Sequence, residues 1–173
     1  MKKFELTTNT KMFLGKKLFQ IKALISFGDV EAGELGGYIE KEENLSQAGD
    51  AWVAGNARVT DDARVTGNAR VAGDAWVAGN ARVAGNARVA GNACVSGNAC
   101  YTTIKGFGRE YRTTTFFKCK DGKVRVRCGC FYGDLKKFRA IVKETHGESK
   151  KAKEYLMIAD LMELHFEEKE NDK

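Results

Sequence analysis

The residues of this sequence best suited to chemistry form a basic stretch at 105–127. It holds eight lysine and arginine side chains with four aromatic residues among them, and residues 101–153 carry fifteen basic and five acidic side chains, a net +10. Cationic side chains neutralise phosphates and aromatic rings stack on bases, a combination typical of nucleotide or nucleic-acid sites. The residues expected to contact an anionic ligand are Arg109, Tyr111, Arg112, Phe117, Lys118, Lys123, Arg125 and Arg127. The alternative is a basic surface that only improves solubility.

Histidine, the usual general base near neutral pH, is absent from residues 1–145. The two histidines of the chain are His146, at the end of one predicted helix, and His165, in the apolar stripe of another. Both positions are typical of structural residues. The sequence therefore predicts no catalytic residue and favours a protein that is not an enzyme.

Cysteine is the other residue type with chemical potential. Zinc accepts thiolate and imidazole ligands, so Cys119, Cys128, Cys130 and His146 form a candidate set. The alternation of the surrounding strand instead places Cys128 and Cys130 among inward core residues, where free thiols pack as small apolar groups. We therefore predict no metal site and no cofactor.

The elements that position these groups are dominated by an internal repeat. The chain from Val53 to Cys100 consists of eight six-residue units: VAGNAR, VTDDAR, VTGNAR, VAGDAW, VAGNAR, VAGNAR, VAGNAC and VSGNAC. The alanine at position five and the next valine at position one lie two residues apart, so both point inward along a strand. Glycine and asparagine at positions three and four suit a corner with positive φ. A period of six is typical of a β-solenoid.

This pattern resembles the left-handed parallel β-helix of hexapeptide-repeat proteins, in which three units make one triangular coil. The resemblance covers residues 47–100 and implies about three coils. Many members of that family are acyltransferases or sugar-nucleotide enzymes with a histidine base between coils of neighbouring subunits, and others bind metal through histidines. Because histidine is scarce here, an acyltransferase is the runner-up function.

Three units per coil imply ladders of outward side chains about 4.8 Å apart. The three faces carry Trp52, Arg70 and Arg88; Arg58, Trp76 and Cys94; and Arg64, Arg82 and Cys100. Arginine beside tryptophan favours packing, including cation–π contacts. Members of the family commonly form trimers side by side, so the resemblance implies a homotrimer. The residues expected at its interface are Trp52, Arg58, Arg70, Trp76 and Arg88.

The sequence divides into three predicted modules. Residues 1–46 contain alternating strand candidates with a turn at 15–17 and are expected to form an N-terminal β cap, because open ends of repeat arrays need covering. Residues 47–103 form the hexapeptide-repeat β-helix, and residues 104–173 form a C-terminal module. The predicted fold is mainly β: a left-handed parallel β-helix with an N-terminal β cap and a C-terminal β-β-α-α module.

Within the C-terminal module, strands are predicted at 111–120 and 123–132. Asp121-Gly122 between them is a strong hairpin signal, and the basic side chains of the second strand share its outer face. Helices are predicted at about 134–145 and 149–168 from capping residues and apolar periodicity. The apolar stripe of the second helix is broad for a surface helix, so it is expected to pack on two neighbours or on another subunit.

Two segments, LGGYIEKEENLSQAGDAWV (35–53) and VRVRCGCFYGDLKKF (124–138), resemble uncharacterised hexapeptide-repeat proteins of phages and prophages. The resemblance implies an origin in a mobile element. Together with the basic stretch it suggests a non-catalytic, trimeric inhibitor of a host defence system that binds a nucleotide signal or a nucleic-acid-binding effector. A structural or scaffold role is a further alternative.

The N-terminal sequence and the cysteines bear on location. The first residues show no signal peptide, and no apolar run is long enough to span a membrane. Five cysteines, an odd number, do not fit a secreted disulfide framework. The sequence therefore predicts a cytoplasmic protein, in the host cell if phage-encoded, with no membrane partner.

Overall fold

The computed structural model describes residues 2–108 and 110–167 of the chain. The fold is mainly β, with a parallel β-solenoid of about three coils and two helices after it. The β-helix predicted from the repeat is thereby confirmed. Contacts within the chain group into two compact units, residues 1–98 and 99–173.

The N-terminal unit begins with β1 (Phe4–Phe13), β2 (Lys16–Ala23) and β3 (Leu35–Ile39). β1 and β2 form an antiparallel hairpin, and β2 pairs antiparallel with β3. The turn of the hairpin is Leu14-Gly15, so the turn predicted at 15–17 lies one residue too late in the chain. A 3-10 turn at Glu42–Asn44 then leads into the coils.

Eight two-residue strands form the coils. They are β4 (Trp52–Val53), β5 (Arg58–Val59), β6 (Arg64–Val65), β7 (Arg70–Val71), β8 (Trp76–Val77), β9 (Arg82–Val83), β10 (Arg88–Val89) and β11 (Cys94–Val95). Strands eighteen residues apart pair in parallel, which gives faces β4-β7-β10, β5-β8-β11 and β6-β9. Cys100 lies in a 3-10 turn and does not extend the third face as predicted. The reason is that Tyr101 stands where the repeat requires an inward valine.

The interior of the coils contains the residues that the repeat predicts. Val59, Val65, Ala63 and Ala69 are fully buried, and the equivalent valines and alanines are buried throughout residues 51–95, whereas Ala99 of the last unit is exposed. Backbone hydrogen bonds join successive coils, as from the amide of Ala54 to the carbonyl of Val71 at 2.8 Å. Each added coil therefore repeats the contacts of the one before it.

The corners of the coils also follow the prediction. Asn68 donates its side-chain amide to the Oδ1 of Asn86 at 3.3 Å, a bond that joins corners of successive coils. Gly49 has a φ of +69°, and a Cβ there would lie 2.5 Å from the carbonyl oxygen of Gly67. Only glycine fits this corner without displacing the next coil.

The N-terminal strands join the β-helix instead of only covering its end. β3 pairs in parallel with β5, so β1, β2 and β3 extend one face into a six-stranded sheet. A Cβ at Gly36 would lie 2.6 Å from both the Ile21 Cγ1 and the Val53 carbonyl oxygen. The N-terminal strands and the first coil therefore approach each other closely at Gly36, where any larger residue would displace them.

The loop between β2 and β3 covers part of the β4-β7-β10 face. Phe27 packs edge-on against Trp52 with ring centroids 5.5 Å apart, and Trp52 is only 1% exposed. Arg70 donates to Asp29 at 2.6 Å. These contacts correct the expectation that Trp52 and Arg70 face a second subunit, because the same chain already covers them. Arg88, on the same face, is exposed.

The β1–β2 hairpin covers outward side chains of the next face. The Arg58 guanidinium lies 4.3 Å from the centroid of the Phe13 ring, and Trp76 meets that ring edge-on at 5.4 Å. Trp76 also donates its Nε1 hydrogen to the Thr60 hydroxyl at 3.0 Å. The predicted cation–π and aromatic packing of this face is therefore present, but within one chain.

The C-terminal unit contains β12 (Tyr101–Ile104), β13 (Thr114–Lys118), β14 (Val124–Cys128) and β15 (Phe131–Asp134), then α1 (Leu135–His146) and α2 (Lys150–Phe166). The strands form an antiparallel sheet in chain order. Asp134 and Ser149 cap the two helices by accepting bonds from the amides of Lys137 and Ala152. None of the described helices is long and apolar enough to cross a membrane.

The predicted β-β-α-α order is corrected to four strands followed by two helices. The Asp121-Gly122 hairpin is confirmed, since β13 pairs antiparallel with β14. The predicted strand at 123–132 is two strands, because the chain reverses at Gly129, where φ is +57°. Cys130 therefore lies in an exposed turn, and the expectation that it is buried is wrong.

Candidate ligand pocket in the C-terminal unit

The C-terminal unit contains a partly open cavity of about 330 Å³ on the helix-covered side of its sheet. Its walls come from α1, from Tyr155 of α2, from the β14–β15 turn and from the segment that precedes β13. The surrounding core contains Phe116, Val126, Val142 and Met162, which come from both layers of the unit. The size falls within the range of small-molecule sites in proteins.

Five of the thirteen residues that line the cavity carry aromatic rings. Phe138 packs against Phe131 at 5.5 Å and edge-on against Tyr155 at 5.8 Å between ring centroids. The His146 ring stacks on Tyr155 at 6.0 Å with an interplanar angle of 20°. Ile141 completes the apolar lining. Such walls suit a planar, apolar ring.

Tyr155 supplies a polar group at the cavity wall. Its hydroxyl donates to the carbonyl oxygen of Phe107 at 3.3 Å. Burial, with a smaller contribution from Cys128, raises the pKa of Tyr155 to about 12. The phenol therefore keeps its proton at neutral pH. Gly108 packs so closely on this phenol that a Cβ would overlap it.

Arg112 places a permanent positive charge on the cavity. Its guanidinium passes so near the β14–β15 turn that a Cβ at Gly129 would lie 2.8 Å from Nη1. Arg112 is exposed to solvent, as is Glu110 on the same wall. The cavity thus combines an apolar interior with a charged rim, and an exposed arginine can form two parallel bonds to a phosphate or carboxylate.

Two cysteines also line the cavity. Cys128 is half-buried, and its sulfur accepts from the Thr114 hydroxyl at 3.2 Å, while Cys130 is exposed. Among residues 2–108 and 110–167, no three histidine, cysteine or acidic side chains group as a metal site would require.

No family model and no curated protein matches this chain. The pocket therefore has to be interpreted from its own residues. Fold alone would not assign a function in any case, because one fold can carry many activities.

Arg112 is the one predicted ligand contact among the described residues that lines the cavity. Tyr111 beside it is exposed, with φ at +49°, and Arg109 lies outside the described residues. Lys123 is exposed next to the β13–β14 turn, and Lys118 is half-buried at the end of β13. Of the described cations Arg112, Lys118 and Lys123, only Arg112 lines the cavity.

Three other predicted contacts lie on the opposite face of the sheet. Phe117 pairs with Arg125, whereas Phe116 faces the helices, so Phe117 points away from the cavity. Phe117 is fully buried and stacks on Tyr132, which corrects the expectation that it is available to a ligand. Arg125 is engaged by Asp121 at 2.6 Å, and Arg127 donates to the Cys130 carbonyl oxygen at 3.5 Å.

Sequence reasoning missed most of the cavity wall. Phe131, Phe138 and Tyr155 carry ordinary core patterns. The sequence predicts His146 as a helix-ending residue, and the only ligand considered for it is zinc, together with three cysteines. His146 is indeed the last residue of α1, but its ring also lines the cavity. The usable signal was the position of His146 beside Gly147, which turns the chain so that α2 brings Tyr155 against the ring.

Proposed function

We propose that this protein is a non-catalytic binding protein whose C-terminal unit holds a small anion with a planar ring, such as a nucleotide. The observation that carries the proposal is the exposed guanidinium of Arg112 on an aromatic cavity of about 330 Å³. The ring of the ligand stacks in the cavity, and its phosphate contacts Arg112.

The two groups at the cavity that could act as a general base, His146 and Tyr155, favour a binding function over acyl transfer. The His146 ring is stacked on Tyr155, and the raised pKa of Tyr155, about 12, disfavours its use as a base near neutral pH. The presence of His146 at the cavity is the one observation that favours the acyltransferase alternative. Turnover of an acyl donor that is lost in His146→Ala would support that alternative.

The biological proposal follows from the resemblance to phage and prophage proteins. In the cytoplasm of an infected cell, a protein that holds a nucleotide tightly lowers the concentration of a defence signal. We propose a trimer of β-helices as the assembled form. Since the chain's own N-terminal segment covers much of two faces, the face with exposed Arg64 and Arg82 is the best candidate for side-by-side contact.

The test is calorimetric titration of the full chain with mononucleotides and with cyclic di- and trinucleotides. Arg112→Glu is expected to weaken binding at least about tenfold, because a charge-assisted contact becomes a repulsion. Arg127→Glu is the matched control, since it makes the same charge change on the opposite face of the sheet. It is expected to change affinity less, through long-range electrostatics and through loss of the weak 3.5 Å bond to the carbonyl oxygen of Cys130 at the cavity wall.

Two outcomes would contradict the pocket proposal. One is the absence of binding by the wild-type protein across the panel. The other is a larger loss in Arg127→Glu than in Arg112→Glu, which would return the site to the basic hairpin. Tyr155→Phe separates the contribution of ring stacking to affinity from that of the hydroxyl, because it keeps the ring and removes only the bond to the Phe107 carbonyl oxygen.

A further inference from the structure

The helix α2 exposes large apolar side chains on the side that faces away from its own core. Met157, Leu161 and Leu164 are 71%, 54% and 67% exposed, at spacings of four and three residues. These spacings put them on one face. The opposite face holds the buried residues Ala152, Tyr155, Ala159, Met162 and Phe166.

The charges of α2 run against its own dipole. The first two turns carry Lys150, Lys151 and Lys153 with no acidic residue in the first turn, whereas the C-terminal half carries Asp160 and Glu163. A helix by itself is stabilised by the opposite arrangement, with acids at the N-terminus and cations at the C-terminus. A partner with reversed polarity would correct this imbalance.

Ion pairs within the chain neutralise only some of the charges that oppose the dipole of α2. Arg139 of α1 donates to Asp160 at 2.8 Å and to Glu163 at 2.6 Å. Near the basic end, the Lys150 Nζ lies 3.8 Å from a carboxylate oxygen of Glu154 in the same helix. Asp160 and Glu163, the two acids that Arg139 contacts, lie in the other half of the helix. The lysines at the start of α2 therefore remain an exposed basic end beside the apolar stripe.

We propose that the exposed face of α2 binds the same face of a second copy of this chain, with the two helices antiparallel. A two-fold axis near residue 160 sets Met157 of each chain against Leu161 and Leu164 of the other. The same axis sets Lys153 opposite Glu167, which is exposed just after the helix. Each basic end then meets an acidic end, and the helix dipoles oppose each other.

A second copy fits this face better than a partner of other chemistry because the face is complementary to itself only when reversed. A parallel copy would place lysines against lysines and acids against acids. The contact uses none of the residues that line the ligand cavity, so it does not depend on the proposed function. A helix about 25 Å long offers less area than a standard stable interface, so the association is concentration-dependent.

Sedimentation of the full chain over a wide concentration range tests the contact. The mass of the wild-type particle is expected to double as the concentration rises, starting from whichever oligomer the β-helices form at low concentration. Leu161→Glu is expected to weaken this doubling by at least about tenfold, because it places two charges near the axis. Met12→Glu, at an equally exposed apolar residue of β1, is the control and leaves the doubling unchanged.

Charge reversal tests the antiparallel register. Lys153→Glu and Glu167→Lys each weaken association at low salt, and the double variant recovers it. Circular dichroism confirms that each variant keeps its helices. A wild type of constant mass, an unaffected Leu161→Glu variant, or a double variant as weak as the single ones overturns the proposal.

Discussion

The β-helix fills its interior with two residue types, whereas the C-terminal unit fills its core with side chains of many sizes. Valine and alanine alternate inside the coils and leave every rung nearly identical. In the C-terminal unit Phe116, Phe138 and Tyr155 meet smaller residues around a cavity of about 330 Å³. Repetition gives a rigid interior without space for a ligand, and the irregular core leaves such a space.

The two regions also differ in the role of their arginines. In the β-helix Arg58 and Arg70 pack on Phe13 and Asp29 of the same chain, so they hold the N-terminal segment in place. In the C-terminal unit Arg112 is exposed at a cavity. The number of arginines in a region is therefore a poor guide to where an anion binds, and their surroundings decide it.

The most severe test of the comparison is a charge inside the coils. Val77→Asp is expected to destabilise the β-helix by more than about 4 kcal/mol, because an unpaired carboxylate is buried among apolar residues. Tryptophan fluorescence during chemical unfolding measures this, since both tryptophans, Trp52 and Trp76, lie in the coils. Asn86→Asp, at an exposed corner, is the control and should cost under about 0.5 kcal/mol. Equal effects would show that the interior is not sealed.

A large-to-small change tests the irregular core in the same way. Phe138→Ala is expected to cost about 3–5 kcal/mol, because it removes a ring that contacts Phe116, Phe131 and Tyr155. Circular dichroism at the helix band follows the loss, as α1 and α2 are the described α-helices. Lys136→Ala, on the exposed side of α1, should leave the transition unchanged. A loss below about 1 kcal/mol in Phe138→Ala would indicate a core already loosely packed.

A smaller loss of stability is expected when one buried polar side chain of the first coil is removed. Asn44 is fully buried, accepts from the amides of Glu40 and Lys41, and donates to the carbonyls of Asp61 and Ala63. Asn44→Ala should cost about 2–3 kcal/mol, because buried backbone groups lose their partners.

The matched control for this substitution is Asn56→Ala, at an exposed corner of the coils. It is expected to change stability by less than about 0.5 kcal/mol. Similar losses in the two variants would mean that the repeat, and not the specific network at the entry, holds the first coil.

The smallest expected effect is a pH dependence at one corner of the β-helix. The bond from Lys16, followed by that from the Gly79 amide, lowers the pKa of Asp61 from 3.8 to about 2. Because the folded pKa is depressed, this stabilisation is present above about pH 4 and is lost as the pH falls toward 2. Since the Asp61 side chain is about a third exposed, the contribution is below about 1 kcal/mol.

Lys16→Met should flatten the acid dependence of stability between those pH values. Lys17→Met, at the next residue, is the control, because Lys17 has no bond to Asp61. Thermal unfolding at several pH values measures both. An unchanged slope in Lys16→Met would show that other carboxylates dominate acid unfolding.

The repeat could be predicted because every unit carries its own local signals. Val59 and Ala63 are inward for the same reason as their counterparts in later units, and Gly49 is required by its corner. The cover over Trp52 could not be predicted in this way. Its contact with Phe27 joins an irregular loop to a coil, and no periodicity specifies such a pairing.

The C-terminal unit shows where strand alternation stops being informative. The pattern of Val124, Val126 and Cys128 runs on through Cys130, so the reversal at Gly129 is hidden in it. Charge density selected Arg112 together with Arg125 and Arg127, but density cannot say which face of a sheet a side chain occupies relative to the helices. The cavity itself depends on how several elements pack, which sequence spacing does not encode.

Paired strands of the β-helix are eighteen residues apart, so a residue's number in the repeat determines both its coil and its face. Gain or loss of eighteen residues lengthens or shortens the rod by one pitch of about 4.8 Å and leaves every later rung on its original face. Gain or loss of six keeps the interior equally well packed but moves every later rung to the neighbouring face. Small duplications in the gene can therefore reorient surface groups while folding is preserved. The number of repeat units sets the length of the β-helix and also the face on which each later side chain lies.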